Sequence, residues 1–431
     1  MPIRIDDARM MASAVPSGAT PGEWNDLALR FGDVHAAVGR DRAAGRYGFT
    51  ELEAQASEHA RVREFATSAR ARFDDVVVLG IGGSALGAIA LRTAFGQTVG
   101  APRLHVIDNV DPSTFSDLLL RIVLARTLWC VVSKSGNTVE TLSQYAIVRE
   151  RLAAAGLAAS KHLAFVTDPV EGPLRAIAAR DGIPVFDVPA NVGGRFSVFT
   201  PVGMLPAALA GYNTAALIAG ARVMFTKCSS PTLSDNPAGI FAALLWRAHQ
   251  RAGQGTHVLM PYSDALRDVA PWFVQLWAES LGKIDADGLP GGPTPLGARG
   301  ATDQHSLLQL LMEGPADKVV AFVRLASHAG DLTVPATGDL PDAAAFMRGR
   351  TLGQLLDAEA SATASALARA GRPSLTITLD ACDAHNVGEL LMMLMLATVY
   401  AGALYRVNPL DQPGVELGKK LAKEALSAPK P

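Results

Sequence analysis

Two short segments of the chain gather the groups that hold a small anion. The first, Gly80-Ile81-Gly82-Gly83-Ser84-Ala85-Leu86-Gly87, follows an apolar β-branched run and precedes a helical pattern. Glycines there let the backbone approach a ligand, and the free N–H groups of a helix start attract negative charge. Gly80, Gly82 and Ala85 also fit a dinucleotide-binding turn, with Asp108 about where a ribose-binding acid would stand, and a tight turn with no ligand is a third reading. The second segment, Ser133-Lys134-Ser135-Gly136-Asn137-Thr138-Val139-Glu140-Thr141, again sets hydroxyls and a glycine at a strand-to-helix turn. Its hydroxyls suit the oxygens of a phosphomonoester, and a dinucleotide domain has no use for this second cradle. Plain helix capping by Ser135 and Thr138 is the alternative.

Four further residues have the chemistry of proton transfer and charge stabilisation. Glu279 recurs with Gln275 and Lys283 at a spacing of four, on one helix face, where it is either a proton carrier or half of a solvated Glu–Lys pair. Arg195 follows Gly193 and Gly194 in a turn, which suits holding a guanidinium against reacting oxygens, with a structural ion pair as the alternative. His305 adjoins the Gly- and Pro-dense stretch GLPGGPTPLGARGATD (288–303), and an imidazole with an ordinary pKa of about 6.5 exchanges protons near neutrality. The other eight histidines read as structural; His385 and Glu389 share helical spacing but lack a third metal ligand. Lys419 stands near the C-terminus, where a lysine is ordinarily on the surface.

The elements that must position these groups alternate along the chain. After an Ala- and Arg-rich helical opening come VVVLGI (76–81), RLHVID (103–108), LWCVVS (128–133), HLAFVT (162–167) and PVFDVP (184–189), separated by helix-sized segments. Continuous apolar strands with such crossovers predict a parallel sheet buried on both faces. A helical stretch (212–252) leads to a second alternation, THVLMPY (256–262), VVAFVRL (319–325) and PSLTITL (373–379), and predicts a second α/β domain. The stretch 288–303 reads as a long functional loop.

The 431 residues suffice for two or three domains, and 49% hydrophobic against 19% charged residues argues against a disordered chain. A formal net charge of −2 excludes a strongly basic nucleic-acid binder, so any anionic ligand is met locally. Cys130, Cys228 and Cys382 are far apart, which suggests neither a disulfide framework nor a thiolate zinc site. The N-terminal residues lack the apolar core of an export signal, and the uncharged stretches 196–221 and 390–405 are respectively broken by Pro and Gly and short of the ~20 residues of a membrane span. A soluble, cytoplasmic protein with no membrane or nucleic-acid partner is expected.

Taken together, GIGGSALG (80–87), SKSGNTVET (133–141), GGRFSVFTPVG (193–203), AESLGK (278–283), DQHS (303–306) and NPLDQPGVELGKKLAKE (408–424) resemble the glucose-6-phosphate isomerase family of the sugar isomerase (SIS) superfamily, in that family's order. The resemblance spans residues 76–424. It implies two SIS-type three-layer αβα domains with parallel sheets, at 73–225 and 226–407, a helical N-terminal segment (1–72) and a C-terminal helical arm (408–431). It also implies reversible aldose–ketose conversion of glucose 6-phosphate to fructose 6-phosphate through a cis-enediol, with neither cofactor nor metal. Glu279 is then the proton carrier, Arg195 steadies the enediolate, and His305 and Lys419 open the sugar ring. Ser84, Ser133, Ser135 and Thr138 hold the phosphate, with Gly83, Lys134, Glu140, Gly194, Gln275 and Gln412 completing the binding set. In the family the active His comes from the neighbouring subunit, which implies a homodimer with shared sites. Ala278, Leu281 and Asp303 depart from the commoner Met, Asn and Gly of the family at those positions. A non-catalytic phosphosugar-binding protein and an NAD(P)-dependent oxidoreductase are the rival readings.

Overall fold

The computed structural model describes residues 3–337 and 340–427. The chain opens on a short strand, β1 (Arg4–Asp6), before the helices Pro21–Ala43 and Ala56–Arg70. Five strands then form a wholly parallel sheet: β2 (Asp75–Leu79), β3 (Arg103–Ile107), β4 (Thr127–Val132), β5 (Leu163–Thr167) and β6 (Val185–Asp187), in the order β3-β2-β4-β5-β6. Every residue of β2, β4 and β5 is buried, as the Val-rich composition demands of strands covered by helices on both faces. Because the chain leaves β2 toward β3 and leaves β4 toward β5, the loops after β2 and β4 diverge. That crevice is where sheets of this kind take their ligands.

The second sheet comprises β7 (Thr256–Pro261), β10 (Thr294–Gly297), β11 (Lys318–Leu325) and β12 (Ser374–Leu379), with β1 on its edge, in the order β1-β12-β11-β7-β10. A two-stranded hairpin, β8 (Lys283–Ile284) with β9 (Pro290–Gly291), stands apart. Two features differ from the sequence expectation. The N-terminal segment is not helical throughout, because β1 pairs antiparallel with β12. Nor is 288–303 wholly a loop, since it contains β9 and the edge strand β10, which pairs parallel with β7. Pro295 is tolerated there because an edge strand has one unpaired side.

The two sheets share one hydrophobic core. It runs from Val76 and Val78 of the first to Val319 and Ile377 of the second through buried helices, while separate clusters cover the outer face of each sheet. At its centre lies the helix Ala384–Tyr405, packed against Thr214–Lys227, Pro237–Ala252 and Val269–Leu281. It is the one described helix long and apolar enough to cross a membrane, but protein surrounds it. Its crossing with Thr214–Lys227 is glycine-dependent: a Cβ on Gly220 would meet the His385 carbonyl oxygen at 1.9 Å, and one on Gly388 the Leu217 oxygen at 2.1 Å. The helix Val269–Leu281 is held in this same packing by Trp272, Phe273, Leu276 and Trp277. Its remaining face carries Gln275 and Glu279.

Candidate active site

The turns after β2 and β4 leave their helix starts uncapped. No side chain caps the helix Leu86–Phe95, and Thr138, at the cap position of the helix Val139–Ala154, makes no capping bond either. The Thr138 hydroxyl instead pairs with that of buried Ser133 at 2.8 Å. Ser135 donates to Asn137 Oδ1 at 2.7 Å, and Gly136 takes a left-handed φ of 68° that closes the turn. Capping therefore does not account for Thr138, and two sets of backbone N–H groups are left for an anion. Glu140 lies half-buried in the first turn of its helix.

The glycines of the first turn are required by what presses on them. A Cβ on Gly83 would lie 2.3 Å from the Gly194 carbonyl carbon and 2.6 Å from the Arg195 nitrogen, and one on Gly82, at φ 56°, would lie 2.9 Å from Gln275 Nε2. The turn that carries Ser84, the turn that carries Arg195 and the helix that carries Glu279 thus meet at these two residues.

Arg195 is buried (4% exposed), and its donors are engaged on every side. Nε donates to Ser280 Oγ at 2.7 Å; Nη2 donates to the carbonyls of Pro409 and Asp411, the latter at 2.9 Å. Nη1 donates to Gln412 Oε1 at 3.1 Å and faces Glu279 Oε1 at 3.4 Å. Burial pulls this guanidinium below its ordinary pKa, opposed by Glu279 and Asp411. Gln275 Nε2 donates to the other Glu279 oxygen at 3.2 Å, leaving its own buried Oε1 without a partner. Glu279 is therefore not in a solvated pair with Lys283, whose ammonium bonds the carbonyls of Asn408 and Asp411 and Asp411 Oδ1 at 2.6 Å. A cavity of about 850 Å³ opens beside Glu279, between Gly282–Gly291 and the 406–415 turn. Its lining does not include Ser133–Thr138, which follow β4, the strand paired with the β2 that leads into the Gly82–Ser84 turn.

Within one chain the structure does not bring His305 or Lys419 to this centre. Gln304 is pinned by Tyr262 Oη at 2.6 Å and Thr363 Oγ1 at 2.9 Å, which leaves the neighbouring His305 exposed. Lys419 lies on the helix Glu416–Ser427, exposed at every residue, and pairs with Glu416 at 2.8 Å. Lys134 turns its ammonium to the carbonyls of Ala190 and Val192 at 2.8 and 2.9 Å. Residue-by-residue reading missed Ser280 and Asp411, although both lie inside segments already singled out. Each acts through Arg195 or Lys283, and only coordinates reveal such contacts.

Fold and site define a two-lobed αβα protein that can grip a small anion at one switch point and set an Arg–Glu pair beside it. Residues 46–431 match the profile of the phosphoglucose isomerase family, and the chain belongs to that family. It is 43% identical over 427 residues to a glucose-6-phosphate isomerase of Rubrobacter xylanophilus, covering 96% of both chains, and 41% identical to that of Carboxydothermus hydrogenoformans, covering 91% and 87%. Among solved structures, a hypothetical protein of Thermus thermophilus superposes with a TM-score of 0.92 at 38% identity, covering 99% of this chain and 100% of the other. A glucose-6-phosphate isomerase of Chlamydia trachomatis superposes at 0.77 with 27% identity, covering 86% and 73%.

Proposed function

We infer that the chain interconverts glucose 6-phosphate and fructose 6-phosphate, a step of glycolysis and gluconeogenesis. The observation that carries the chemistry is the 3.4 Å contact of Arg195 with Glu279 beside the Gly82–Ser84 turn. Hydroxyls of Ser84, Ser133, Ser135 and Thr138 and the uncapped helix starts receive the phosphate. The Glu279 carboxylate removes the C2 proton of the open-chain aldose and returns it to C1, and Arg195 stabilises the negative oxygen of the enediolate between. Hydrogen moves within one molecule, so no external oxidant is consumed. By family resemblance, His305 and Lys419 open the ring.

In this reading the protein works as a homodimer in the cytoplasm, with His305 supplied across the interface. The exposure of His305 supports this. The divisions 1–72, 73–225, 226–407 and 408–431 serve as functional units, with the exchange of β1 noted above.

The test is a coupled assay of fructose 6-phosphate conversion on wild type and Glu279→Gln. The amide keeps the shape but cannot accept the proton, so turnover should fall by about 10³ or more while sugar-phosphate binding persists. Near-normal turnover in the variant would remove Glu279 from the base role.

A further inference from the structure

Lys134 stands between two hydroxyl residues of the phosphate cradle, yet its ammonium faces elsewhere. It crosses to the segment entering the Arg195 turn and donates there to Ala190 O at 2.8 Å and Val192 O at 2.9 Å. Its own carbonyl accepts from Asp168 N at 3.0 Å, so the lysine is fixed at both ends. The segment it reaches is clamped from the other side as well. Asn191 O accepts from Gly48 N at 3.3 Å, and Asn191 Nδ2 donates to Gly45 O at 2.9 Å. Gly193, Gly194 and Arg195 follow directly. Lys283 makes the matching arrangement beyond Arg195, tying down the 408–411 turn whose carbonyls receive the guanidinium.

We propose that Lys134 is a positioning residue for Arg195: it staples the phosphate-gripping loop to the backbone that aims the guanidinium, so that the two halves of the site hold a fixed distance. The proposal rests on the isomerase reading above. Partial burial lowers the pKa of this amine, opposed by the nearby Asp168 carboxylate. An ammonium can donate to two carbonyls at once, and a methionine of similar length can donate to neither. Loss of the staple leaves the hydroxyls and helix starts in place but frees the Arg195 turn, and small displacements of a charge-stabilising group cost rate rather than ground-state affinity.

The experiment compares wild type, Lys134→Met, Lys134→Gln and Lys134→Arg, using fructose 6-phosphate turnover, binding of sorbitol 6-phosphate by calorimetry, and amide hydrogen exchange of peptides covering 190–197. Lys134→Met should lose about tenfold or more in kcat, with KM and sorbitol 6-phosphate affinity within about threefold of wild type. Its 190–197 amides should exchange faster, and Lys134→Arg, with two-carbonyl donation restored, should recover most of both. Lys134→Gln, with one donor fewer, supplies the same comparison if the methionine variant does not fold. Sorbitol 6-phosphate affinity falling with kcat unchanged would mean that the ammonium touches the phosphate, and would overturn the proposal. Unchanged exchange at 190–197 would do the same. Because exchange does not depend on turnover, this failure is distinguishable from a wild type that does not isomerise.

Discussion

His257 shows how a residue far from the chemistry governs the helix that carries it. Trp277 Nε1 donates to His257 Nδ1 at 3.0 Å, two residues from Glu279, so the imidazole must be neutral to accept. Complete burial pushes its pKa down to about 3. The sign follows: the unfolded imidazole binds a proton near pH 6.5 and the folded one does not, so stability is full above pH 6.5 and declines toward pH 3. At pH 5 the loss from this one group is about 2 kcal/mol. Thermal unfolding from pH 7.5 to 5 should show a falling midpoint whose slope lessens in His257→Gln; an equal slope in both would assign the acid sensitivity to other groups. The sequence revealed His257 only as one structural histidine among eight. Its role is a contact with Trp277, twenty residues on, which spacing does not encode. Glu279 and Arg195 were legible because their motifs carry them, whereas Ser280, which accepts from Arg195, has no distinguishing pattern of its own.

At the scale of elements, the site depends on how closely helices can cross. Gly220→Ala would place a methyl within 1.9 Å of a backbone oxygen of the helix Ala384–Tyr405, and backbone cannot yield as a flexible side chain would. That helix leads into the 408–412 turn around Arg195, so separation of the pair should lower both stability and turnover. We expect a loss of about 2–4 kcal/mol in denaturant unfolding for Gly220→Ala. Gly39→Ala, in the helix Pro21–Ala43 with nothing near the added carbon, should instead gain about 0.5–1 kcal/mol. Equal effects of the two would show that helix propensity, not crossing distance, sets the cost. The long apolar strands were legible because burial on both faces leaves an unbroken Val-rich signature. β1 and β10 were not: one is three residues pairing with a strand some 370 positions away, the other carries a proline and a glycine that mimic a loop.

For the whole molecule, the open matter is how His305 meets Glu279. If it crosses from a neighbouring subunit, two inactive variants should repair each other. Mixing Glu279→Gln with His305→Ala after dissociation and reassociation should restore activity to about a quarter of wild type, since half the chains pair as heterodimers and each has one intact site. Each variant alone should stay inactive. No recovery in a mixture shown to contain heterodimers would place the histidine and glutamate on one chain. Neither the net charge nor the strand pattern bears on such sharing; only the family resemblance implies it, and within one chain His305 faces outward.

The cage around Arg195 has a bearing on biosynthesis. Besides Ser280, the groups that receive its guanidinium, Pro409, Asp411 and Gln412, lie 214 to 217 positions further along the chain. A ribosome that has completed the first lobe has therefore exposed a charged side chain bound for the interior without the carbonyls that will receive it. Isomerase competence arrives only once those late residues emerge, and a cut just after the core helix would silence the enzyme while sparing nearly all of its bulk.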